Sequence, residues 1–467
     1  MHVSIYKPCD IRGHGAEELT PELYRRWGHA LGMQVEPRAK FVVGGDIRDS
    51  TPALMAALVE GLSTAGVDVV EVGQLPTPMV YHARRRLAAG GCAIVTASHN
   101  AAEINGLKWA IDGLPPTPDE VQSLRLAAEQ PIAARSDRPT SVSRPLDVTF
   151  DYVAFLQETW ANSLSAHLHV VIDPLHGCWV NRVRRYLHAV FPQCLFSTIH
   201  DRADATFAGR VPDCSLPENL VDLQEAVYRE RADLGIAFDG DGDRVTFVDD
   251  QGMVLTAEEA TWVLLQSFGG KLQGRPFVYD LKFSDCIPRA AEMLQAQPVV
   301  QRCGHAFIRT RMRETDAVFG AEISGHYFFG ELGGGDDGLM AACRMIAHLA
   351  RSPRALAEIS RECPDVFMTP DLRISLESDR QRQVIKQIER AWSDHPQTTI
   401  DGIRVETPAG WALARPSVTE SALTFRFESV DWPGLEHLVS HFCERLGDVG
   451  DQLWARYKRS TGRCELG

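Results

Sequence analysis

The chain has no C-x-x-C pair, no long apolar run and no excess of positive charge. Its 11 cysteines are odd in number and scattered, which argues against a disulfide framework or a zinc knuckle and implies a reducing compartment. Residues 1–25 hold no apolar h-region, and no stretch approaches the roughly 18 apolar residues of a membrane span. A cytoplasmic protein without a membrane segment is expected. With 48 Lys and Arg against 62 Asp and Glu, a net charge of -14, the chain as a whole repels nucleic acid and anionic membrane. An anionic small substrate would need a locally basic cleft. Nucleotide loops are missing as well. There is no G-x-x-x-x-G-K-[ST], and "GGGDDG" (Gly333–Gly338), which formally fits G-x-G-x-x-G, carries Asp336 and Asp337, which would repel a pyrophosphate. These two are read as carboxylates at the N-terminus of the helical stretch "LMAACRMIAHLA".

What is present is α/β in character. The 467 residues, 44% of them apolar, suffice for several packed cores. "KFVVGGDIRDS", "GCAIVTASHN", "LHVVIDPLHGC", "DLGIAFDGDGDR" and "PFVYDLKFSD" each read as a buried strand, a polar turn and then a helical pattern. In such folds ligands gather at the carboxyl ends of strands. The openings "VVGGD", "VVIDP" and "GIAFDGD" hint at a repeated unit, and the polar, proline-bearing residues 128–147 suit a linker. After about residue 365 come "DLRISLES", a charged helix, a β-rich stretch and a last helix "GLEHLVSHFCERL". The expected fold is α/β: three similar α/β domains with mixed sheets, spanning 1–145, 146–250 and 251–365, plus a smaller C-terminal α+β domain, 366–467.

Four loops are candidates for chemistry. Ser98, with His99 and Asn100 beside it, ends an apolar strand, and Asn105, Gly106 and Lys108 follow shortly. A hydroxyl nucleophile wants such exposure with a base and a cation nearby, although a serine capping the next helix fits equally well. In "FDGDGDR" Asp239, Asp241 and Asp243 recur at every second position across Gly240 and Gly242. Crowded carboxylates repel unless a hard divalent cation neutralises them, so a magnesium site is favoured over a solvated turn. An EF-hand loop is excluded, because Arg244 takes the place where glycine is required. "GAEISGHYFFG" puts Glu322, Ser324 and His326 at alternate positions, which in an extended loop would share one side and suit sugar hydroxyls. An ordinary polar turn is the competing reading. "RPSVTES" offers Arg415, Ser417 and Thr419 as a phosphate grip, but such residues are also common on surfaces.

Together and in this order, "TASHN", "DGDGDR", "EISGH" and "RPSVTE" resemble the α-D-phosphohexomutase family, and "CDIRG", "LKFS" and "CGHAFIRTRM" look like further family segments. The resemblance spans nearly the whole chain and is closest to the bacterial phosphomannomutase/phosphoglucomutase group. It implies domains set around a central cleft, each supplying one loop, and reversible interconversion of hexose 1-phosphate and hexose 6-phosphate through a phosphoserine and a bound 1,6-bisphosphate. Ser98 would carry the phosphoryl group and, with Asp239, Asp241 and Asp243, hold Mg2+, with glucose 1,6-bisphosphate as activator. Arg244 would neutralise the transferring group, while Lys108 and His326 are candidates for base and acid. Arg12, His99, Lys282 and His305 would contact substrate. Glu322 and Ser324 would grip the 3- and 4-hydroxyls, which glucose and mannose share. Arg415, Ser417 and Thr419 would hold the non-reacting phosphate. The chain departs from the family pattern at Cys9, Ala101, Val418 and Ser421, and Val418 is the least accommodating because β-branching resists the backbone shapes open to glycine near a phosphate. A phosphoglucosamine mutase and a magnesium-dependent sugar phosphatase are the competing activities. The oligomeric state and the hexose preferred in the cell stay open.

Overall fold

The run "KFVVGG" has no polar side to alternate, and it forms a strand, Lys40–Gly45, buried along nearly its whole length, as expected of a parallel strand covered on both faces. Its neighbours Asp68–Gln74 and Gly91–Val95 are parallel to it. The computed structural model describes residues 3–15, 17–132, 140–160, 167–417 and 421–460. Its first sheet is six-stranded, in the order Ile11–His14, Ile104–Ile111, Gly91–Val95, Lys40–Gly45, Asp68–Gln74, Arg144–Pro145. The first two of these strands pair antiparallel, as do the second and third, so the sheet is mixed. Trp27, Phe41, Leu58 and Leu62 pack in the core that covers it.

A four-stranded sheet follows in the order Val245–Val248, Leu234–Phe238, His169–Asp173, Leu195–Thr198, with its first pair antiparallel and the others parallel. The third sheet has five strands, ending in the antiparallel run Phe319–Ala321, Tyr327–Phe329, Gly335–Asp336. The fourth is six-stranded, with antiparallel pairing, and Trp392, Phe425, Phe427 and Phe442 fill the core beside it. Three mixed or part-parallel α/β sheets and a C-terminal antiparallel sheet with helices are therefore the observed architecture. Helices begin where local chemistry satisfies their free N–H groups. Thr117 with Glu120, and Thr256 with Glu259, form reciprocal capping boxes at Pro118–Glu129 and Ala257–Phe268.

The chain falls into two compact units, residues 1–278, 290–299 and 304–362 in the first and residues 279–289, 300–303 and 363 onward in the second. No helix among the described residues is long and apolar enough to cross a membrane. Two expectations change. The stretch 128–147 is not wholly linker, because Arg144–Pro145 adds an edge strand beside Asp68–Gln74. The helix Trp432–Glu444 is not the last, because "DVGDQLWARYKRS" forms Asp448–Ser460.

Candidate active site

Strand Gly91–Val95 delivers the chain to Thr96 and Ser98 at its carboxyl end. Contrary to the exposure expected of a nucleophile, Ser98 is buried, and because no helix follows it is not a cap. Its φ of 53° lies in the left-handed region, which a non-glycine residue adopts only when its surroundings enforce it. The enforcing contacts are visible. Thr96 Oγ1 accepts the Ser98 N–H at 2.8 Å, and the buried Arg48 donates to the carbonyls of Ser98 (2.9 Å), Asn100 (2.6 Å) and Ile104 (2.8 Å), and to that of Ala101. Sequence reasoning missed Arg48. Its only signal was a charged residue three positions past the end of a buried strand.

The three aspartates occupy the turn between the antiparallel strands Leu234–Phe238 and Val245–Val248. Gly242 has φ 76° and a Cβ there would stand 2.2 Å from Trp179 Nε1, so the close turn requires glycine. Ser98 Oγ donates to Asp239 Oδ2 at 2.8 Å. Lys108, on the strand beside Gly91–Val95, donates to Asp241 Oδ2 at 2.8 Å and Asp243 Oδ2 at 2.6 Å, and Thr77 Oγ1 donates to Asp241 Oδ2 at 2.7 Å. Burial and the charges of Asp241 and Asp243 push Asp239 well above the usual carboxylate range. Burial also opposes ionisation of Asp243, but Lys108 and His326 outweigh it and hold that carboxyl well below its ordinary value. Asp241 Oδ1 and Asp243 Oδ1 remain buried without a hydrogen-bond donor, and the three residues offer oxygens all within 4.8 Å of one another. Hard, mutually repelling oxygens with unmatched lone pairs fit a metal ion.

Around this turn stand the other expected residues of the first unit. Arg12 donates to Asp10 at 2.9 Å and to Asn100 Oδ1 at 2.6 Å. His99 Nδ1 lies 3.3 Å from Ser98 Oγ, and burial, then the cations of Arg244, Arg12 and Lys108, keep that imidazole neutral. The Arg244 guanidinium is 4.0 Å from Asp213, and its buried Nε has no partner. His305 stacks on His326 with ring centroids 5.9 Å apart.

Glu322, Ser324 and His326 do converge, although not as an extended loop. Glu322 N donates to His326 O and Gly325 N to Glu322 O, at 2.9 and 3.0 Å, so a tight turn with Gly325 at φ 87° brings them together. Ser324 Oγ is 2.8 Å from His326 Nδ1, and Glu322 Oε2 is 3.4 Å from it. Burial disfavours the imidazolium, but Asp243, whose Oδ1 is 3.3 Å from Nε2, and Glu322 lift His326 to about 10. Lys108 is likewise held charged, its burial outweighed by Asp241 and Asp243. Asp337 caps its helix as read from the sequence, accepting from Met340 N at 2.9 Å. Asp336 does not. It lies in a short strand, buried, with Oδ2 3.9 Å from His326 Nε2 and neither oxygen hydrogen-bonded. Pairing of Phe328 with Asp336 turns it toward the histidine side, a placement that helical spacing did not reveal.

The second unit carries its own cluster. Arg415 Nε donates to Asp401 Oδ2 at 2.6 Å, both side chains being buried, while Arg415 Nη2 has no partner. Arg302 Nη2 is 3.9 Å from Asp401 Oδ1, and Lys282 Nζ donates to Asp371 Oδ2 at 2.7 Å. Ser417 closes the strand end through N–H donation to Ala422 O at 2.8 Å. Val418 and Thr419 lie outside the described residues.

Three family descriptions match in succession: phosphoglucomutase/phosphomannomutase alpha/beta/alpha domain I over residues 5–131, domain II over 150–252 and domain III over 250–367. The phosphomannomutase/phosphoglucomutase of Pseudomonas aeruginosa strain PAO1 is 31% identical over 463 residues, covering 97% of each chain. This chain belongs to the phosphoglucomutase/phosphomannomutase family. A Neisseria gonorrhoeae phosphoglucomutase is 30% identical over 96% of this chain and 98% of its own. Among solved structures, a phosphoglucomutase/phosphomannomutase family protein from Burkholderia thailandensis superposes with a TM-score of 0.85 at 29% identity, covering 99% of this chain and 98% of that one. Members of this phosphohexomutase family are intramolecular phosphotransferases, and the acidic turn of this one is a cluster able to hold a metal ion.

Proposed function

We propose that the protein interconverts hexose 1-phosphate and hexose 6-phosphate, of glucose and mannose alike, with Ser98 as the phosphoryl carrier and a hexose 1,6-bisphosphate as the bound intermediate. The observation that supports this most directly is the Ser98 hydroxyl held 2.8 Å from Asp239 inside the acidic turn, next to oxygens that lack donors. Asp239, Asp241 and Asp243, with an oxygen of phospho-Ser98, would hold Mg2+. Bound there, the ion supplies positive charge to the phosphoryl oxygens during transfer.

In the forward direction the free 6-hydroxyl of a hexose 1-phosphate bonds to phosphorus while the bond from phosphorus to Ser98 Oγ breaks, and the proton that this hydroxyl gives up passes to a group beside Ser98, His99 or Asp239. Ser98 then takes up a proton. Lys108 and His326, each raised despite burial by the carboxylates beside it, are the candidates for base and acid, and while charged they also stabilise oxygens as charge develops. When the bisphosphate has turned over and its 1-phosphate returns to serine, the Ser98 proton has two acceptors in reach, Asp239 Oδ2 at 2.8 Å and the neutral His99 Nδ1 at 3.3 Å, and the sugar 1-oxygen released from phosphorus takes up that proton to become the product hydroxyl. Arg244 faces the transferring group, and Arg12 and His305 support substrate. Glu322 and Ser324 read the 3- and 4-hydroxyls, a choice that survives the turnover of the sugar and leaves carbon 2 unread. Arg415, with Ser417, Thr419 and Lys282, holds the phosphate that is not reacting. Glucose 1,6-bisphosphate serves as activator by rephosphorylating Ser98, and boundaries near residues 145, 250 and 365 divide the four domains.

One assay tests this. The protein is given glucose 1-phosphate, magnesium and a trace of glucose 1,6-bisphosphate, and intact mass is followed in parallel. Glucose 6-phosphate should accumulate, with a phosphate adduct that Ser98→Ala abolishes. Release of free phosphate in its place would make the protein a phosphatase. A higher specificity constant for glucosamine 1-phosphate than for both glucose and mannose 1-phosphates would sink the proposed sugar reading.

A further inference from the structure

Helix Thr77–Arg86 presents Tyr81 and Arg84 three residues apart, and helix His305–Glu314 presents Arg309 and Arg313 four apart. At those spacings each pair shares one helix face, and the two faces meet. The Arg309 guanidinium carbon lies 4.3 Å from the centre of the Tyr81 ring, a cation–π seat that fixes its plane. Between the helices runs the turn Asp112–Gly113. A Cβ on Gly113, which has φ 80°, would stand 2.5 Å from Arg84 Nη1 and 3.2 Å from Arg313 Nη1, so both guanidinium groups converge on the one residue that leaves them room. Arg313 Nη1 donates to Asp112 O at 2.8 Å.

The unusual feature is what these cations lack. Arg309 is only 4% exposed, yet its Nε and Nη1 have no hydrogen-bond acceptor, and the buried Nε of Arg84 has none either. Among the described residues no carboxylate oxygen comes within ion-pair distance of Arg84, Arg309 or Arg313. Buried N–H groups of Arg309 and Arg84 without acceptors, beside a third guanidinium at the same turn and with the Asp112 charge as their nearest counterweight, are unfavourable left bare. Water can accept the hydrogen bonds but does not neutralise the charge. A tetrahedral oxyanion does both, because its several acceptor oxygens match the planar donor forks of arginine. Arg313 is exposed and Arg84 half-buried, which leaves the groove open to solvent at that end.

We propose that the groove between these two helices, closed by the Asp112–Gly113 turn, binds a phosphate-type oxyanion through Arg84, Arg309 and Arg313. The site shares no residue with the reacting centre and does not depend on the function proposed above. Inorganic phosphate and the phosphate group of a sugar phosphate offer the same chemistry to it.

The test is arginine modification of the full chain by phenylglyoxal, read residue by residue by peptide mass mapping, with inorganic phosphate compared against chloride at equal ionic strength. With phosphate at about four times its dissociation constant, modification of Arg84 and Arg313 should slow about fivefold. The protection should persist in Arg415→Ala, whose assigned phosphate grip is gone, and disappear in Arg309→Met. If Arg309→Met does not fold, equilibrium dialysis of labelled phosphate against the surface variant Arg84→Gln/Arg313→Gln replaces it, and that variant should bind one phosphate fewer than the parent. Repeating the protection with glucose 1-phosphate distinguishes the sources: equal protection extends the site to phosphorylated sugars, and protection by inorganic phosphate alone assigns it to the free ion. Equal modification in phosphate and chloride would overturn the proposal. So would protection that vanishes with Arg415→Ala, because phosphate would then be acting from the other site.

Discussion

At residues 239–243 three buried carboxylates share one lysine, the His326 imidazolium 3.3 Å from Asp243 Oδ1, and a few hydroxyl and backbone donors, and Asp241 Oδ1 and Asp243 Oδ1 have no well-formed hydrogen bond. At Arg415 the imbalance is reversed. One buried guanidinium is anchored through Nε by Asp401, and its Nη2 is left over. Each region holds buried polar atoms of one kind without partners, acceptors in the acidic turn and a donor at Arg415, which suits a cation at the first and an anion at the second, as proposed above. A third place in the fold acts as the control. Asp173 is as fully buried as Asp239, Asp241 and Asp243, but its Oδ1 accepts from Leu175 N and its Oδ2 from His200 Nδ1, at 2.8 and 2.9 Å. A buried carboxylate therefore does not by itself signal a ligand. The unmatched lone pair does.

The largest effect should come from Asp241→Asn, which removes one charge of the proposed cation site. Turnover is expected to fall by about a hundredfold or more, and the rise in melting temperature that magnesium gives the parent protein should vanish. A variant still stabilised by magnesium to the parental extent would break the contrast at its acidic end. On the basic side, Arg415→Ala should raise KM and cost about 2–5 kcal/mol in kcat/KM. Arg415→Lys should recover only part of this, because an ammonium cannot donate to Asp401 and phosphate in the same fixed fork. Unchanged kcat/KM in Arg415→Ala would remove that loop from substrate binding.

The smallest effect belongs to the control. The hydrogen bond to Asp173, against partial burial and with the further charge of Asp222, raises the pKa of His200 above its ordinary value. A raised histidine stabilises the fold fully below its unfolded pKa of about 6.5, and that stabilisation is lost as pH climbs through the folded value. Urea unfolding should show the parent more stable than His200→Gln by about 1 kcal/mol at pH near 5.5. The gap should close toward pH 9 and be indifferent to magnesium. A gap that widens with pH, or one that magnesium alters, would show that Asp173 is not the satisfied carboxylate described.

The acidic turn could be read from the chain because its chemistry is local. Asp239, Asp241 and Asp243 are separated by single glycines, and that spacing already forces their charges together whatever the rest of the fold does. The strand-to-turn passage at Ser98 and the α/β order of the sheets were legible for the same reason, since apolar runs and their breaks act within about ten residues. Other features depended on partners far along the chain. Lys108 meets Asp241 across 133 positions and Ser98 meets Asp239 across 141. Those pairings follow from sheet order and strand register, which periodicity does not encode. Hence the sequence marked Ser98 as exposed when the fold buries it, assigned Asp336 to a helix end when a two-residue strand sets it near His326, and passed over Arg48 and Asp401. Which residues carry charge was determined by the sequence alone. Which of those charges are left unmatched, and so what each region still needs to bind, only the tertiary structure decided, because burial removes the water that would otherwise satisfy them all.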